Sequence, residues 1–156
     1  MHIMYLKERY IMEEIIKKLN EFLSDLEIMN VKLQNYHWNV TGKGFFITHE
    51  KLEEYYDETR EQIDEIAEHI LSLGAEPLGT MQDFIKNSEI QEAKNEKIKS
   101  LEILKNVIKD LQTLQQKATT IKQEAEKQSD FATSAIMDNY LGNYAKKLWM
   151  LNETIK

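Results

Sequence analysis

From Ile15 the apolar residues fall at Ile15, Leu19, Phe22, Leu26, Met29, Leu33 and Tyr36. These alternating steps of four and three are the seam of a helix packed in a bundle. They predict a first helix from about Tyr5 to Asn39. It stops at Thr41-Gly42-Lys43-Gly44, where two glycines permit a reversal that a helix cannot make. A second helix is predicted from about Phe45 to Leu73, ended by Gly74 with Pro77 beyond. Leu101, Leu104, Ile108, Leu111 and Ala118 mark a third, and Met137, Leu141, Tyr144, Leu148 and Leu151 a fourth. The breaks between first and second helices, and between third and fourth around Ser129-Asp130, are short and imply antiparallel neighbours.

The middle connection differs. Residues 74 to about 90 hold Gly74, Pro77 and Gly79, then TMQDFIKN, a candidate short helix with Thr80 as its N-cap. A second helix of about 29 residues is roughly 43 Å long, and about 16 extended residues reach roughly 50 Å. One long crossover can therefore span the bundle and let helices two and three run parallel. The following SEIQEAKNEKIKS is mixed in sign and is expected to be the solvated start of the third helix.

Composition narrows the class. With 156 residues, 42% of them hydrophobic, the chain matches one domain spanning residues 1–156. One proline and five glycines leave little material for hairpin turns, so the expected fold is all-α. The absence of cysteine excludes a disulfide framework and thiolate metal sites, leaving His, Asp and Glu to hold any metal. The N-terminal MHIMYLKERYIMEEIIKKLN carries charges through its apolar positions, unlike a signal peptide or membrane span, and a cytoplasmic protein is expected. A net charge of -7 argues against nucleic-acid binding, which needs clustered Lys and Arg.

Candidate chemistry concentrates in residues 50–68. Glu50, Glu53, Glu54, Asp57, Glu58, Glu61, Asp64, Glu65 and Glu68 stand there against only Lys51 and Arg60. Many of these acids are i,i+4 neighbours, and each such repulsion costs a few tenths of a kcal/mol unless something, such as a bound cation, compensates. At roughly 100° per residue, His49, Glu53, Asp64 and Glu68 form one stripe bordering the apolar face of Leu52, Tyr56, Ile63 and Ile70. Ligands there are expected to be partly desolvated. Yet His49 and Asp64 lie roughly 22 Å apart along a straight helix, far beyond metal–ligand bonds of roughly 2.0–2.2 Å. His37 and His49 flank the same glycine turn, so with Glu53 they form one half-site, and Asp64 with Glu68 the other. Antiparallel two-fold pairing of second helices would join the halves and generate two equivalent sites. Imidazole and carboxylate suit Fe(II) and also accept Zn or Mn. The Glu-x-x-His pairs of intramolecular diiron bundles are absent: Gln34, Phe46 and Ile66 precede His37, His49 and His69 by three.

The segment NYHWNVTGKGFFITHEKLEEYYDETREQIDEIAEHILSLGAEPLGT resembles the signature of the Dps mini-ferritins. Its marks are H-W-x-V-x-G-x-x-F, then a His, a carboxylate four residues on, and D-x-x-A-E before a leucine–glycine stop. The resemblance is weak in the first helix, strong from about Val31 to Thr80, and returns in KKLWML near the end. It implies a ferritin-like four-helix bundle whose long crossover carries a short helix between helices two and three. It also implies inter-subunit ferroxidase ligands at His37, His49, Glu53, Asp64 and Glu68, with Trp38 beside them to intercept stray oxidising equivalents. The implied assembly is a hollow dodecamer that oxidises Fe(II), typically with hydrogen peroxide, and stores Fe(III) mineral. Glu50, Glu54 and Asp57 would face the cavity and nucleate mineral. Two departures stand out. The Lys-rich terminus used by DNA-coating members is missing, since residues 1–10 hold only Lys7, Glu8 and Arg9 among strong charges. Where the family's iron-admitting pores are acidic, only Asp130 and Asp138 are found.

Simpler readings cover the remaining residues. His2 and His69 lack matching partners and are expected at the surface, while Trp149 and the seven methionines are expected to pack. The alternatives to a ferroxidase are a DNA-compacting structural protein and a helical shell or adhesion module without redox chemistry.

Overall fold

The computed structural model describes the backbone from residue 2 to 156 and the side chains from residue 12 onward. The expected position of the His2 side chain therefore lies outside the described residues. Four long helices, α1 (His2–Asn39), α2 (Phe45–Ser72), α4 (Ser100–Lys127) and α5 (Phe131–Thr154), enclose the core. A short α3 (Met81–Asn87) sits in the crossover, and two-residue strands β1 (Val40–Thr41) and β2 (Ile98–Lys99) pair in parallel.

The seam read from sequence is buried: Ile15, Leu19, Phe22, Leu26, Met29, Leu33 and Tyr36 all lie inside. They meet Leu52, Ile66 and Ile70 of α2, Ile103, Val107, Leu114 and Ile121 of α4, and Met137, Tyr144 and Leu151 of α5. Side-chain joints fix the directions. Thr48, near the start of α2, bonds Ser100 at the start of α4 (2.5 Å), while His69, near the end of α2, bonds Thr133 at the start of α5 (2.7 Å). Helices α2 and α4 therefore run parallel and α5 runs antiparallel to both, the single-crossover arrangement expected. Trp149 departs from expectation, being 64% exposed. The α5 seam of Met137, Tyr140, Tyr144, Leu148 and Leu151 steps past it by one residue, turning it outward. Met29 and Met137 do pack, but Met81 and Met150 are exposed.

Thr80 caps α3 as expected, its hydroxyl accepting the Asp83 amide at 3.2 Å. The next segment corrects the sequence reading: residues 88–99 are not the start of a helix but a non-helical strap ending in β2. The cause is a buried anchor. Asp25, fully inside α1, accepts bonds at Oδ1 from Ser88 Oγ (2.8 Å) and the amides of Glu89 (2.7 Å) and Ile90 (3.2 Å). Its Oδ2 meets Lys117 Nζ at 2.6 Å, and Ile90 inserts into the core. Backbone groups satisfied this way have no need of a helix. At the strap's end, β2 aligns with β1 so that Gly44, at φ 84°, lies against Ser100; a Cβ there would sit 3.2 Å from Ser100 Oγ.

Removing the anchor would leave Lys117 only the more exposed Glu89, 3.3 Å away, and would strand the strap amides. Asp25→Ala is expected to cost about 3–5 kcal/mol, the range for breaking a buried ion pair from one side. Urea denaturation at fixed protein concentration checks it, and a loss below about 1 kcal/mol would refute the anchoring role.

Candidate metal centre

The turn between α1 and α2 brings His37 and His49 into face-to-face contact. Their ring centroids are 3.7 Å apart with planes 17° from parallel. Each ring bonds the other residue's main chain: His37 Nδ1 to the His49 carbonyl at 2.8 Å, and His49 Nδ1 to the His37 carbonyl at 2.9 Å. A carbonyl oxygen can only accept, so both Nδ1 atoms carry protons, and in the neutral rings both Nε2 lone pairs are bare. A metal-binding imidazole needs this form, with its second nitrogen donating to a carbonyl or carboxylate. Tyr56 stands edge-on to His37 at 5.5 Å and Phe45 stacks on His49 at 5.2 Å, so the rings cannot turn freely. His37 is buried and His49 half-buried. The pair thus fits a divalent cation of the Fe(II), Zn or Mn kind.

The carboxylates are placed otherwise than expected. Glu53, Asp64 and Glu68 are all exposed in the single subunit rather than partly desolvated. Glu53 lies near the Tyr56 phenol and helps to raise its pKa, after burial. Asp64 and Glu68 border an open groove with Glu61, Glu65, His69, Ser72 and Ile136, and form no hydrogen bond or ion pair with any described residue. Among the described residues, no three His, Asp or Glu side chains of one subunit converge on a common metal position. Trp38 follows His37 but points outward, 66% exposed, its carbonyl accepting from Lys97 Nζ at 3.2 Å.

Most of the rest of the acidic run has partners within the protein. Lys147 and Asn143 of α5 bond Glu58, and Tyr140 donates to Glu65. Burial drives the Glu58 carboxyl upward, but Lys147 and Asn143 outweigh it and hold it below its usual range. Burial in turn lowers Lys147, and burial with the Glu65 contact raises Tyr140 well above an ordinary phenol. Lys51 pairs with Glu54 at 2.5 Å, and Arg60 lies 3.6 Å from Asp57.

His69 is a further correction. It is buried, not at the surface: its Nε2 meets Thr133 Oγ1 at 2.7 Å, and that hydroxyl donates to Asp130 at 2.5 Å. The signal was present as a buried polar row, Thr48, Thr59, Gln62 and His69, at helical spacing on the side of α2 that faces α4 and α5. Of the two acids near the α5 start, Asp130 is its N-cap and Asp138 pairs with Lys122 at 3.0 Å.

Comparison with known proteins places this geometry in context. A family model described as a ferritin-like domain matches residues 16–156. The DNA protection during starvation protein of Helicobacter pylori is 33% identical over 138 residues, covering 88% of this chain and 94% of its own. The crystal structure of antigen TpF1 from Treponema pallidum superposes with a TM-score of 0.92 at 33% identity, covering 94% of each chain. A Dps protein from Vibrio cholerae, described as a member of a broad superfamily of ferritin-like diiron-carboxylate proteins, gives a TM-score of 0.91 at 31% identity, covering 94% of this chain and 92% of its own. Among the described residues, no helix is long and apolar enough to cross a membrane.

The carbonyl bonds fix the tautomers, which can be measured directly. In metal-free protein at a pH where the imidazoles are neutral, nitrogen-15 NMR of both rings should show a protonated Nδ1 and a bare Nε2. A bare Nδ1 on either ring would refute the reciprocal bonding.

Proposed function

The chain belongs to the Dps family of ferritin-like proteins, and from that membership we propose that it oxidises Fe(II) at sites shared by two subunits. The product would be stored as Fe(III) in a hollow oligomer, a dodecamer by family analogy, so that the protein guards against oxidative stress. The observation that carries this reading is the His37–His49 pair, whose reciprocal carbonyl bonds leave both Nε2 atoms free of hydrogen bonds and available to a metal.

The distribution of donors supports sharing. Asp64 and Glu68 are carboxylates without partners in their own subunit, and roughly 22 Å of helix separates Asp64 from His49. His37, His49 and Glu53 of one copy would hold Fe(II) together with Asp64 and Glu68 of the next. Fe(II) is the substrate, and hydrogen peroxide is the proposed oxidant. Two Fe(II) supply one electron each, and the O–O bond of peroxide breaks to give two hydroxide ions, so no hydroxyl radical is released. The histidines contribute neutral donors that leave coordination positions open, while the carboxylates offset the charge of Fe(III) as it forms. Trp38, next to His37, would supply an electron when only one Fe(II) is present. DNA compaction, suggested by the relatives' name, is the less favoured function because the net charge is -7.

Mixing complementary chains tests the proposal. H37A/H49A alone and D64A/E68A alone are each expected to lose rapid peroxide-driven Fe(II) oxidation. After dissociation and joint reassembly, half of the pairs are mixed and each regains one site of two, so about a quarter of the sites return. Undiminished oxidation in either separate variant would overturn the ferroxidase assignment. No recovery in a mixture shown by mass to contain mixed pairs would overturn the sharing.

A further inference from the structure

The ligand-bearing face of α2 is complementary to itself when reversed. His49 and Glu53 lie as far before the midpoint between Glu58 and Thr59 as Glu68 and Asp64 lie after it. Two pairs with no part in ligation share that midpoint: Phe46 with Leu71, and Asp57 with Arg60. At roughly 100° per residue, all eight positions fall within about 100° of arc, one stripe along the helix. The two pairs outside the ligand set match in character, since Phe46 and Leu71 are both apolar and Asp57 and Arg60 are anion and cation, whereas Glu53 and Asp64 are both anions.

The two additional pairs are exposed in the single subunit. Phe46 is 78% and Leu71 56% exposed, large apolar side chains left in solvent at both ends of the stripe. Asp57 and Arg60 are mostly exposed at its centre, and their separation of 3.6 Å within the subunit is a loose i,i+3 contact of little worth. Arg60 is also the one base of residues 50–68 not closely paired in its own subunit, Lys51 being held by Glu54.

We infer that Asp57, Arg60, Phe46 and Leu71 set the register in which this stripe docks, antiparallel, on the same stripe of a second copy. Asp57 then meets Arg60 of the partner subunit on both sides of a two-fold axis, and Phe46 packs on Leu71 of the partner subunit beyond each metal site. The inference rests on the shared-site reading and adds the residues that choose the alignment. Sliding one helix a turn in one direction would oppose Glu53 with Glu68 and Asp57 with Asp64, a set of carboxylates facing carboxylates. Sliding it the other way parts Phe46 from Leu71. Asp57 is thereby assigned to the joint between subunits rather than to mineral nucleation.

The chain has no cysteine, so disulfide capture reads the register cleanly. Positions 46 and 71 lie roughly 37 Å apart on one helix, and any disulfide between them must join two copies. Metal-free F46C/L71C under mild oxidation is expected to run as a covalent dimer on a non-reducing denaturing gel. F46C alone, L71C alone and the pair one turn out of register, F46C/A67C, should give about tenfold less. A charge arm is independent of cysteine. D57R and R60D should each weaken pairing about tenfold, since each places like charges across the axis. Mixed together they restore both contacts, so mixed pairs should outnumber the two self-pairs by native mass spectrometry. Equal capture in F46C/A67C, no capture in F46C/L71C, or a mixture no stronger than its components would overturn the register. Neither readout uses iron, so capture without Fe(II) oxidation would sink the ferroxidase reading alone. Restored oxidation in mixed ligand variants without capture would sink the register alone.

Discussion

Fifteen residues of α-helix hold their ends about 22 Å apart however the helix is packed, because hydrogen bonds along the backbone fix the rise per residue. Helix α2 carries an imidazole near one end and two partnerless carboxylates near the other. No folding of the chain on itself can close that distance, so on the shared-site reading one subunit supplies half-sites. What the bundle does supply is order within each half. The glycine turn, the β1–β2 bridge and the packing of Gly44 against Ser100 set the histidine pair at one corner of the molecule. The Asp25 anchor keeps the strap that carries β2 from lifting away.

Helix α2 divides its charges by direction. On the side toward α5, each acid has a partner: Glu58 with Lys147 and Asn143, and Glu65 with Tyr140. Nearby, Gln62 accepts from the buried Tyr144 hydroxyl at 3.0 Å. These contacts let a heavily acidic helix pack against a hydrophobic neighbour without unpaired buried charge. Along the adjoining open groove Asp64 and Glu68 are unaccompanied. One run of nine acids thus joins the bundle with some of its members and leaves others free of protein partners.

How much of this was legible depends on whether the deciding contacts are local. The core seams were readable because helical periodicity is a property of neighbouring residues, and Thr80 was readable as a cap because its bond reaches only three residues. The strap was not. SEIQEAKNEKIKS has the composition of a solvated helix, and what holds it extended is Asp25, more than sixty positions earlier in the chain. His69 failed for the same reason, since Thr133 lies on another helix. At the turn between α1 and α2, the proximity of His37 and His49 could be read from spacing, but their tautomers could not. Those depend on two carbonyls whose direction only the folded turn determines. The exposure of Glu53, Asp64 and Glu68 was misjudged because a stripe bordering the core on a helical wheel need not be covered by the subunit's own side chains.

That exposure carries a consequence for assembly. Partnerless carboxylates on one face repel an approaching copy of the same face, except where an opposite charge or a cation intervenes. On the shared-site reading, Fe(II) binds only across the joined faces, so any free energy of iron binding is also free energy of subunit pairing. Linkage makes the effect reciprocal: pairing raises iron affinity by the same factor as iron raises the affinity of pairing. On that reading the centre would be competent only in the assembled oligomer, and with a hollow oligomer the oxidised product would be delivered to an interior and not to bulk water. Ligands divided between two chains would thereby tie the chemistry to the container that receives its product.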